Sequence, residues 1–395
     1  MSERVVICGA VRTPIGRFQG GLATIKASRL GAAAIAGLLE RTGLDPAAVD
    51  EVIMGCVVQA GLGQNPARQA AIWGGVPTSV SAMTLNKVCG SGLRAVMSAA
   101  QAIRAGDIRC AIAGGMENMS QIPFALFGAR DGLRLGHQQL TDLLVHDGLW
   151  DVYHDYHMGM TAELVVDTYA VSRERQDAYA AESHRRAAAA AAAGKFAAEI
   201  VPVPVPQRKG EPVLVAADEG PRADTTAAAL AKLKPAFKRE GGTVTPGNAS
   251  TINDGAAAVL VCSESFARER GLPALAVVEA YGTGAVDPEW VMMAPVGAVQ
   301  NVAAKAGRPI AAYELFELNE AFAAQAVAVS DQLGLDPGKV NVHGGAVALG
   351  HPIGASGARC LVTLLHAMLD RGAESGIVAL CLGGGDAVAM SVARP

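Results

Sequence analysis

The chain has 395 residues, 51% of them hydrophobic and 18% charged, and its net charge at pH 7 is −4. That composition supports large buried cores spread over about two or three units. It offers no basic field for a phosphate backbone and, with 4% aromatic residues, few rings for base stacking, so nucleic acid is not an expected partner.

The opening "MSERVVICGAVRTPIG" lacks the basic and then apolar regions of a secretory leader, and "SVARP" at the end is not a retention or peroxisomal address. No apolar run has the length to span a bilayer, so the expected setting is cytoplasmic, away from membranes. Seven cysteines, Cys8, Cys56, Cys89, Cys110, Cys262, Cys360 and Cys381, are scattered and form no C-x-x-C pair. That spacing points to free thiols in a reducing compartment rather than to a disulfide framework or a zinc site.

In chain order, "RVVICGAVRTPIG" predicts a strand ending in a Gly/Pro turn. "LGAAAIAGLLERTGLDP" predicts a helix stopping at Gly43, and "VDEVIMGCVVQA" a buried strand. Helix and strand alternate onward to "CAIAGGMENMS", the pattern of a central sheet covered by helices. From about Met119 to Asn248 the character changes. Polar loops, short helices and "VPVPVP" read as an insertion carried on the first α/β unit. Within it, the alanine-rich run Arg185 to Phe196 predicts a surface helix.

After "NDGAAAVLVCS" the alternation resumes, and the second half echoes the first. Ser91 to Gly115 and Ser356 to Gly385 each begin Ser-Gly-x-Arg, run through a helix to a glycine (Gly106, Gly372), pass a buried strand and end in clustered glycines. The repeated order predicts a duplicated fold. A nicotinamide dehydrogenase would need a clean G-x-G-x-x-G between its first strand and helix, and none is present.

In "NKVCGSGLRAV", apolar residues Leu93, Val96, Met97, Ala100 and Ile103 recur at helical spacing just past Cys89. A thiol at a helix N-terminus is expected to have a lowered pKa and to serve as a nucleophile; an inert cysteine at a helix start is the plainer reading. His351, between Gly350 and Pro352, occupies in the second half the place that the Cys89 loop holds in the first. If the halves pack symmetrically, a histidine base and a cysteine nucleophile meet, although a solvated loop histidine fits the text equally. Cys381 closes a buried strand before three glycines, either as core or as an acid/base thiol at the same cleft. Asn319 and Glu320 of "FELNEAFAAQAVAV" are expected to open a helix, as a cap or as a group orienting a water or carbonyl.

Together "NKVCGSGLRAV", "NEAFAAQA", "GGAVALGHPIGASGAR" and "CLGGGDA" resemble the signature blocks of the thiolase family, and "GGMENMS", "DGLWDVYHDYHMGMTAE" and "TVTPGNASTINDGAAA" extend the resemblance nearly end to end. The family fold implied is α/β, with two duplicated βαβαβαββ-type halves in a layered α/β/α/β/α arrangement. Residues 1–118 plus 249–271 would form the N-terminal half, 119–248 an inserted loop domain for coenzyme A, and 272–395 the C-terminal half. The His157 to Met160 stretch is similar to the short-chain branch. That branch runs a reversible, ping-pong Claisen condensation of two acetyl-CoA to acetoacetyl-CoA and CoA. The alternatives are thiolysis of longer or dicarboxylic 3-ketoacyl chains and, from another class, a non-catalytic lipid carrier on the same fold.

The resemblance implies Cys89 as the acyl-accepting nucleophile and His351 as its activator. It implies Cys381 as the acid/base on the α-carbon. Asn319 would hold a water beside His351, and the amides of Cys89 and Gly383 would form a second oxyanion site. The pantetheine arm would meet Leu149, His157, Met158, Arg222, Leu233, Phe237, Ser250 and Phe322. Independently, residues 221–240 carry Arg222, Lys232, Lys234, Lys238 and Arg239 against Asp224 and Glu240. That local positive excess suits a nucleotide phosphate or is a plain solvated face. Coenzyme A thioesters enter as substrates, with no metal or dissociable cofactor, and the assembly implied is a homotetramer or homodimer. The chain departs from the family pattern at Asp386 and Ala387, where methionine and glycine are usual, at Pro246, and at Met292 to Pro295.

Overall fold

A computed structural model describes residues 3–395, so Met1 and Ser2, where the expected N-terminal half begins, lie outside the described residues. The first unit is built from β1 (Val5–Arg12), α1 (Ala27–Thr42), β2 (Glu51–Gly55), α2 (Pro66–Trp73), β3 (Ser81–Leu85), α3 (Ser91–Ala105) and β4 (Cys110–Asn118). Residues 119–248 then carry two main helices, α4 (Met158–Tyr169) and α5 (Arg173–Ala192). The chain returns through β5 (Asn253–Ser263) and continues as β6 (Ala276–Ala285), α6 (Ala294–Ala306), β7 (Leu315–Leu318), α7 (Ala323–Leu333), α8 (Ser356–Arg371), β8 (Ser375–Leu382) and β9 (Asp386–Ala393).

Hydrogen bonding links the long strands in the order β7-β8-β9-β6-β1-β5-β4-β2-β3. The path contains two sheets of matching topology. In the first, β2 runs parallel to β3 and β4, and β5 is antiparallel to β4 and β1. In the second, β7 runs parallel to β8, and β9 is antiparallel to β8 and β6. The counterpart of β3 shrinks to one parallel bridge between Phe316 and Val340. The sheets join where β1 meets β6 through only two residue pairs, Val6 with Val277 and Ile7 with Ala276. The duplication expected from the repeated Ser-Gly-x-Arg segments is thus present strand for strand, apart from that reduced element.

Helices α3 and α8 lie between the two sheets and share one apolar core with both. Helices α1 and α2 cover the outer face of the first sheet, and α4, α6 and α7 that of the second. The five layers follow. A helix covered on both sides must be apolar around its whole circumference; α8 is buried without interruption from Ser356 to Leu365. Close approach is set by two glycines. A Cβ on Gly92 would lie 2.7 Å from the Ala358 amide nitrogen, and a Cβ on Gly357 would collide with the Leu93 amide. Each Ser-Gly pair therefore admits the backbone of the other helix, and the two helix N-termini meet.

Three expectations need correction. The strand predicted from "VDEVIMGCVVQA" ends at Gly55, because the amides of Val57 and Val58 turn to the buried carboxylate of Glu117 instead of a neighbouring strand. The helix after β7 begins at Ala323, and Asn319 and Glu320 precede it in a buried loop. Glu320 accepts hydrogen bonds there from Tyr179, Ser183, Asn341 and the Val347 amide, and that work is incompatible with a place in the helix. The alanine-rich helix α5 is not a plain surface helix. Ala187 and Ala190 are buried, and Gly344 packs against the backbone at Ser183 and Ala187. Small residues on α5 let the loop before α8 sit directly on it.

The segment 119–248 is fixed to the first sheet by a buried ionic knot. Arg12 on β1 donates to Glu199 at 2.6 Å and to both oxygens of Asp218 at 2.6 and 2.8 Å. Its extended Val203–Val205 pairs only with Val213–Val215, apart from the main sheet, as alternating prolines require. Among the described residues no helix is long and apolar enough to cross a membrane.

Candidate active site

The meeting of the α3 and α8 N-termini opens a cavity of about 720 Å³ whose wall includes Cys89, His351, Cys381 and Gly383. The loop before α3 is strained. Val88, a β-branched residue, has φ 46°, in the left-handed region. Asn86 Oδ1 accepts the Val88 amide at 2.9 Å, and Ser91 Oγ accepts the Lys87 amide at 2.8 Å while donating to the Val88 carbonyl at 2.6 Å. These bonds hold the sharp turn that presents Cys89 to the cavity.

The Cys89 thiol is not acidified by its helix. Burial pushes its pKa up to about 12, against the opposing pull of the Cys89 and Gly383 amides, which point at the sulfur. This corrects the expectation of a lowered pKa: the desolvation of a thiolate here outweighs the donors that face it. Cys381 is also raised, by burial first and then by the proximity of Cys89. Both sulfurs rest as thiols, and a base must take a proton before either can act.

His351 has the form of such a base. Ser356 Oγ spends its one proton on the Pro352 carbonyl at 2.9 Å, so its 2.6 Å contact with His351 Nδ1 makes the imidazole the donor. The unprotonated Nε2 is buried and has no protein partner. Burial, helped by Arg359, lowers the His351 pKa to about 3, so the ring is neutral. Its backbone is pinned by Asn253, whose Oδ1 accepts the His351 amide at 3.0 Å and whose Nδ2 donates to the Gly16 carbonyl at 2.9 Å. Gly350, with φ 107°, lets that Asn253 side chain come close.

Leu149, His157, Met158, Arg222, Leu233, Phe237, Ser250 and Phe322 all line the same cavity. His157 caps α4 by accepting the Gly159 amide at 3.0 Å and stacks on Phe237 at 4.8 Å, and Phe237 meets Phe322 edge-on at 6.1 Å. That makes an apolar aromatic wall. Asn319 is the exception: it is buried and does not line the cavity, and its Nδ2 is unpartnered. Of the local positive excess, Lys238 pairs with Asp167 at 2.8 Å, and Arg222 faces the cavity. Sequence reasoning missed Arg17, Phe18 and His184 in the lining, whereas Met292, singled out in the sequence as a departure from the family pattern, does line it. It also missed Glu117 and Asn253, which carry no periodic signal and are recognisable only as polar residues inside otherwise apolar strand text.

The chain matches two family models, "Thiolase, N-terminal domain" over residues 5–265 and "Thiolase, C-terminal domain" over residues 272–394. It is 57% identical over 392 residues to the acetyl-CoA acetyltransferase of Pseudomonas aeruginosa, covering 99% of this chain and all of the relative. It is 55% identical over 390 residues to that of Cupriavidus necator, with 99% of each covered. A probable acetyl-CoA acyltransferase of Staphylococcus aureus is 52% identical over 391 residues, again with 99% of each covered. Among solved structures, the Bacillus anthracis acetyl-CoA acetyltransferase superposes with a TM-score of 0.97 at 43% identity, over 100% of this chain and 99% of that one.

Proposed function

This chain belongs to the thiolase family, and from that premise we propose that it is an acetyl-CoA acetyltransferase, joining two acetyl-CoA into acetoacetyl-CoA and CoA and running the reverse thiolysis. The observation that carries the reading is the convergence of two thiols and an unprotonated imidazole nitrogen on one cavity from opposite halves of the chain.

In the first half-reaction His351 Nε2 takes the Cys89 proton as the sulfur attacks the thioester carbonyl. The C–S bond to coenzyme A breaks, and the leaving thiolate takes the proton of Cys381. Acetyl-Cys89, free CoA, an imidazolium and a Cys381 thiolate remain. In the second half-reaction that thiolate removes an α-proton from a second acetyl-CoA. The carbanion attacks acetyl-Cys89, and the released Cys89 sulfur recovers its proton from His351. All three groups return to their starting state. The Cys89 and Gly383 amides, already aimed at the sulfur, are the donors for the oxyanion on the acetyl group. The scheme draws on no metal or redox cofactor.

The apolar wall of Phe237, Phe322, Leu149 and Met158 suits a pantetheine arm, and Arg222 with Arg17 suits the phosphates toward the cavity mouth. The segment 119–248 then acts as the coenzyme A-binding insertion between residues of the two halves. Asn319 acts from outside the lining, its free Nδ2 available to a water beside the site. Seven free thiols fit a cytoplasmic setting.

Two exposed apolar features support a homotetramer or homodimer. The edge strand β3 leaves Met83 exposed near Trp73 and Ile72 of α2, and residues 124–140 expose Phe124, Phe127, Leu133, Leu135 and Leu140. Rates across 3-ketoacyl-CoA chain lengths test the substrate. A preference for acetoacetyl-CoA supports the reading, and faster thiolysis of longer or dicarboxylic chains replaces it with a broader 3-ketoacyl-CoA thiolase.

A further inference from the structure

The glycine turn between β8 and β9 is followed directly by an acid, Asp386. Lys87 Nζ donates to Asp386 Oδ2 in an ion pair that spans the seam between the halves. Lys87 stands two positions before Cys89, and Asp386 three after Gly383. Both ends are held. The Lys87 amide is bonded to Ser91 Oγ at 2.8 Å, at the start of α3. Asp386 sits in ladder register with Leu382 and with Ala285, and its Oδ1 accepts the Ala387 amide at 2.7 Å.

Around this pair, apart from the Gly383 amide that faces the Cys89 sulfur, the two loops touch through apolar groups. Gly383 lies beside Val88, where an added Cβ would be 3.4 Å from Val88 Cγ1, and Gly90 packs against the side chains of Leu382 and Val388. Apolar contacts are non-directional and permit sliding. The ion pair is a directional side-chain contact between loops whose two amides must address one oxygen. Oxyanion donors work within a narrow range of distance, and a small misplacement lowers rate steeply. With side-chain exposures of 27% and 32%, the pair is too wet to add much to folding stability, so its effect falls on alignment.

We propose that Lys87 and Asp386 are positioning residues that hold the Cys89 and Gly383 amides in register across the seam. The proposal rests on the reading of Cys89 as the acyl-accepting nucleophile. It is specific to a chain that has Asp386 after its three glycines.

The test compares wild type with Asp386→Asn, Lys87→Met and the charge-swapped Lys87→Asp/Asp386→Lys. The measurements are steady-state thiolysis of acetoacetyl-CoA, single-turnover acetylation of Cys89 by intact mass, and the thermal midpoint. Each single variant is expected to lose about fivefold in kcat, with KM within about twofold and the thermal midpoint unchanged. The swapped variant is expected to regain most of the loss. Single variants with wild-type kcat, a loss that tracks a lower thermal midpoint, or a swap that regains nothing each overturn the pairing. Wild type that fails to acquire one acetyl group on Cys89 sinks the nucleophile assignment and this proposal together, whereas acetylated wild type with indifferent variants sinks the pair alone.

Discussion

Glu117 on β4 accepts the amide of Gly354 at 3.0 Å across a separation of 237 residues, and it also accepts the amides of Val57 and Val58 at 2.9 and 3.3 Å and the Cys56 thiol at 3.8 Å. One buried carboxyl therefore ties the turn after β2 to the loop that carries His351. Burial raises its pKa from 4.5 to about 7, against the pull of those three amides.

A carboxyl raised on folding stabilises the native state at low pH. Between about 4.5 and about 7 the native protein keeps a proton that the unfolded chain has released, so unfolding becomes easier as pH rises through that window. Glu117→Gln removes the titration and leaves one amide facing an NH₂ group, at a cost of about 1–3 kcal/mol. The stability gap between wild type and variant is expected to narrow from pH 4.5 to pH 7, by at most about 1.4 kcal/mol per pH unit. Urea unfolding of both proteins at a series of pH values measures the gap. A gap that stays constant over the window means Glu117 titrates in its ordinary range.

The resting state of Cys89 gives a second prediction. With the thiol near 12 and the imidazole near 3, the pair is neutral at pH 7 and not a thiolate–imidazolium ion pair. Alkylation by iodoacetamide is expected to be slow at pH 7 and to climb about tenfold per pH unit through pH 9, since the thiolate fraction sets the rate. A plateau around neutrality would show a preformed ion pair. His351→Ala is expected to lower acetylation by acetyl-CoA about 10²–10⁴-fold, the usual contribution of a positioned base.

Much of this site is legible in the amino-acid sequence. Cys89, His351 and Cys381 stand in text that repeats between halves, so the sequence itself placed the two glycine loops at equivalent positions. What it could not show was the sign of the Cys89 shift. A helix start is local and visible in residues 91–103, whereas the burial that overrides it comes from residues distant in the chain, among them Val57, Met119, Leu143 and Ile353. The same limit applies to Asn319. Its neighbours read as a helix opening, but the partners that pull Glu320 out of a helix lie elsewhere in the chain, Tyr179 and Ser183 in the insertion and Asn341 beyond the following helix. Lys87 and Asp386 are 299 residues apart, and although Asp386 stands out as a departure from the family pattern, nothing in either segment pairs it with Lys87.

The two thiols are expected to fail at different steps. Cys89→Ser should lower turnover at least about 10³-fold and acquire no acetyl group, because a hydroxyl cannot replace the thiol as nucleophile without stronger activation. Cys381→Ala should still gain one acetyl group from acetyl-CoA and then stall without forming acetoacetyl-CoA. Intact mass separates the two, with product formation followed in parallel. Normal condensation by Cys381→Ala would remove its acid/base role.

The close approach of α3 and α8 at Gly92 and Gly357 carries the last prediction, because it places the fold and the chemistry on the same two residues. A methyl on Gly92 meets the Ala358 amide nitrogen at 2.7 Å and its Cβ at 3.1 Å, and both belong to the first turn of α8. Neither atom is the end of a flexible side chain, so α3 and α8 must separate. Gly92→Ala is expected to cost about 1–3 kcal/mol of stability, in the range of other overpacked cores. Separation also widens the gap between the loops before the two helices, which hold Cys89 and His351. The activity loss should therefore exceed what the fraction unfolded explains, with acetylation of Cys89 slowed in protein that is still folded. Thermal unfolding together with single-turnover acetylation at a temperature well below the midpoint distinguishes the effects. Full acetylation rate in a destabilised but folded Gly92→Ala protein would show that the helix crossing supports the fold without setting the distance between nucleophile and base.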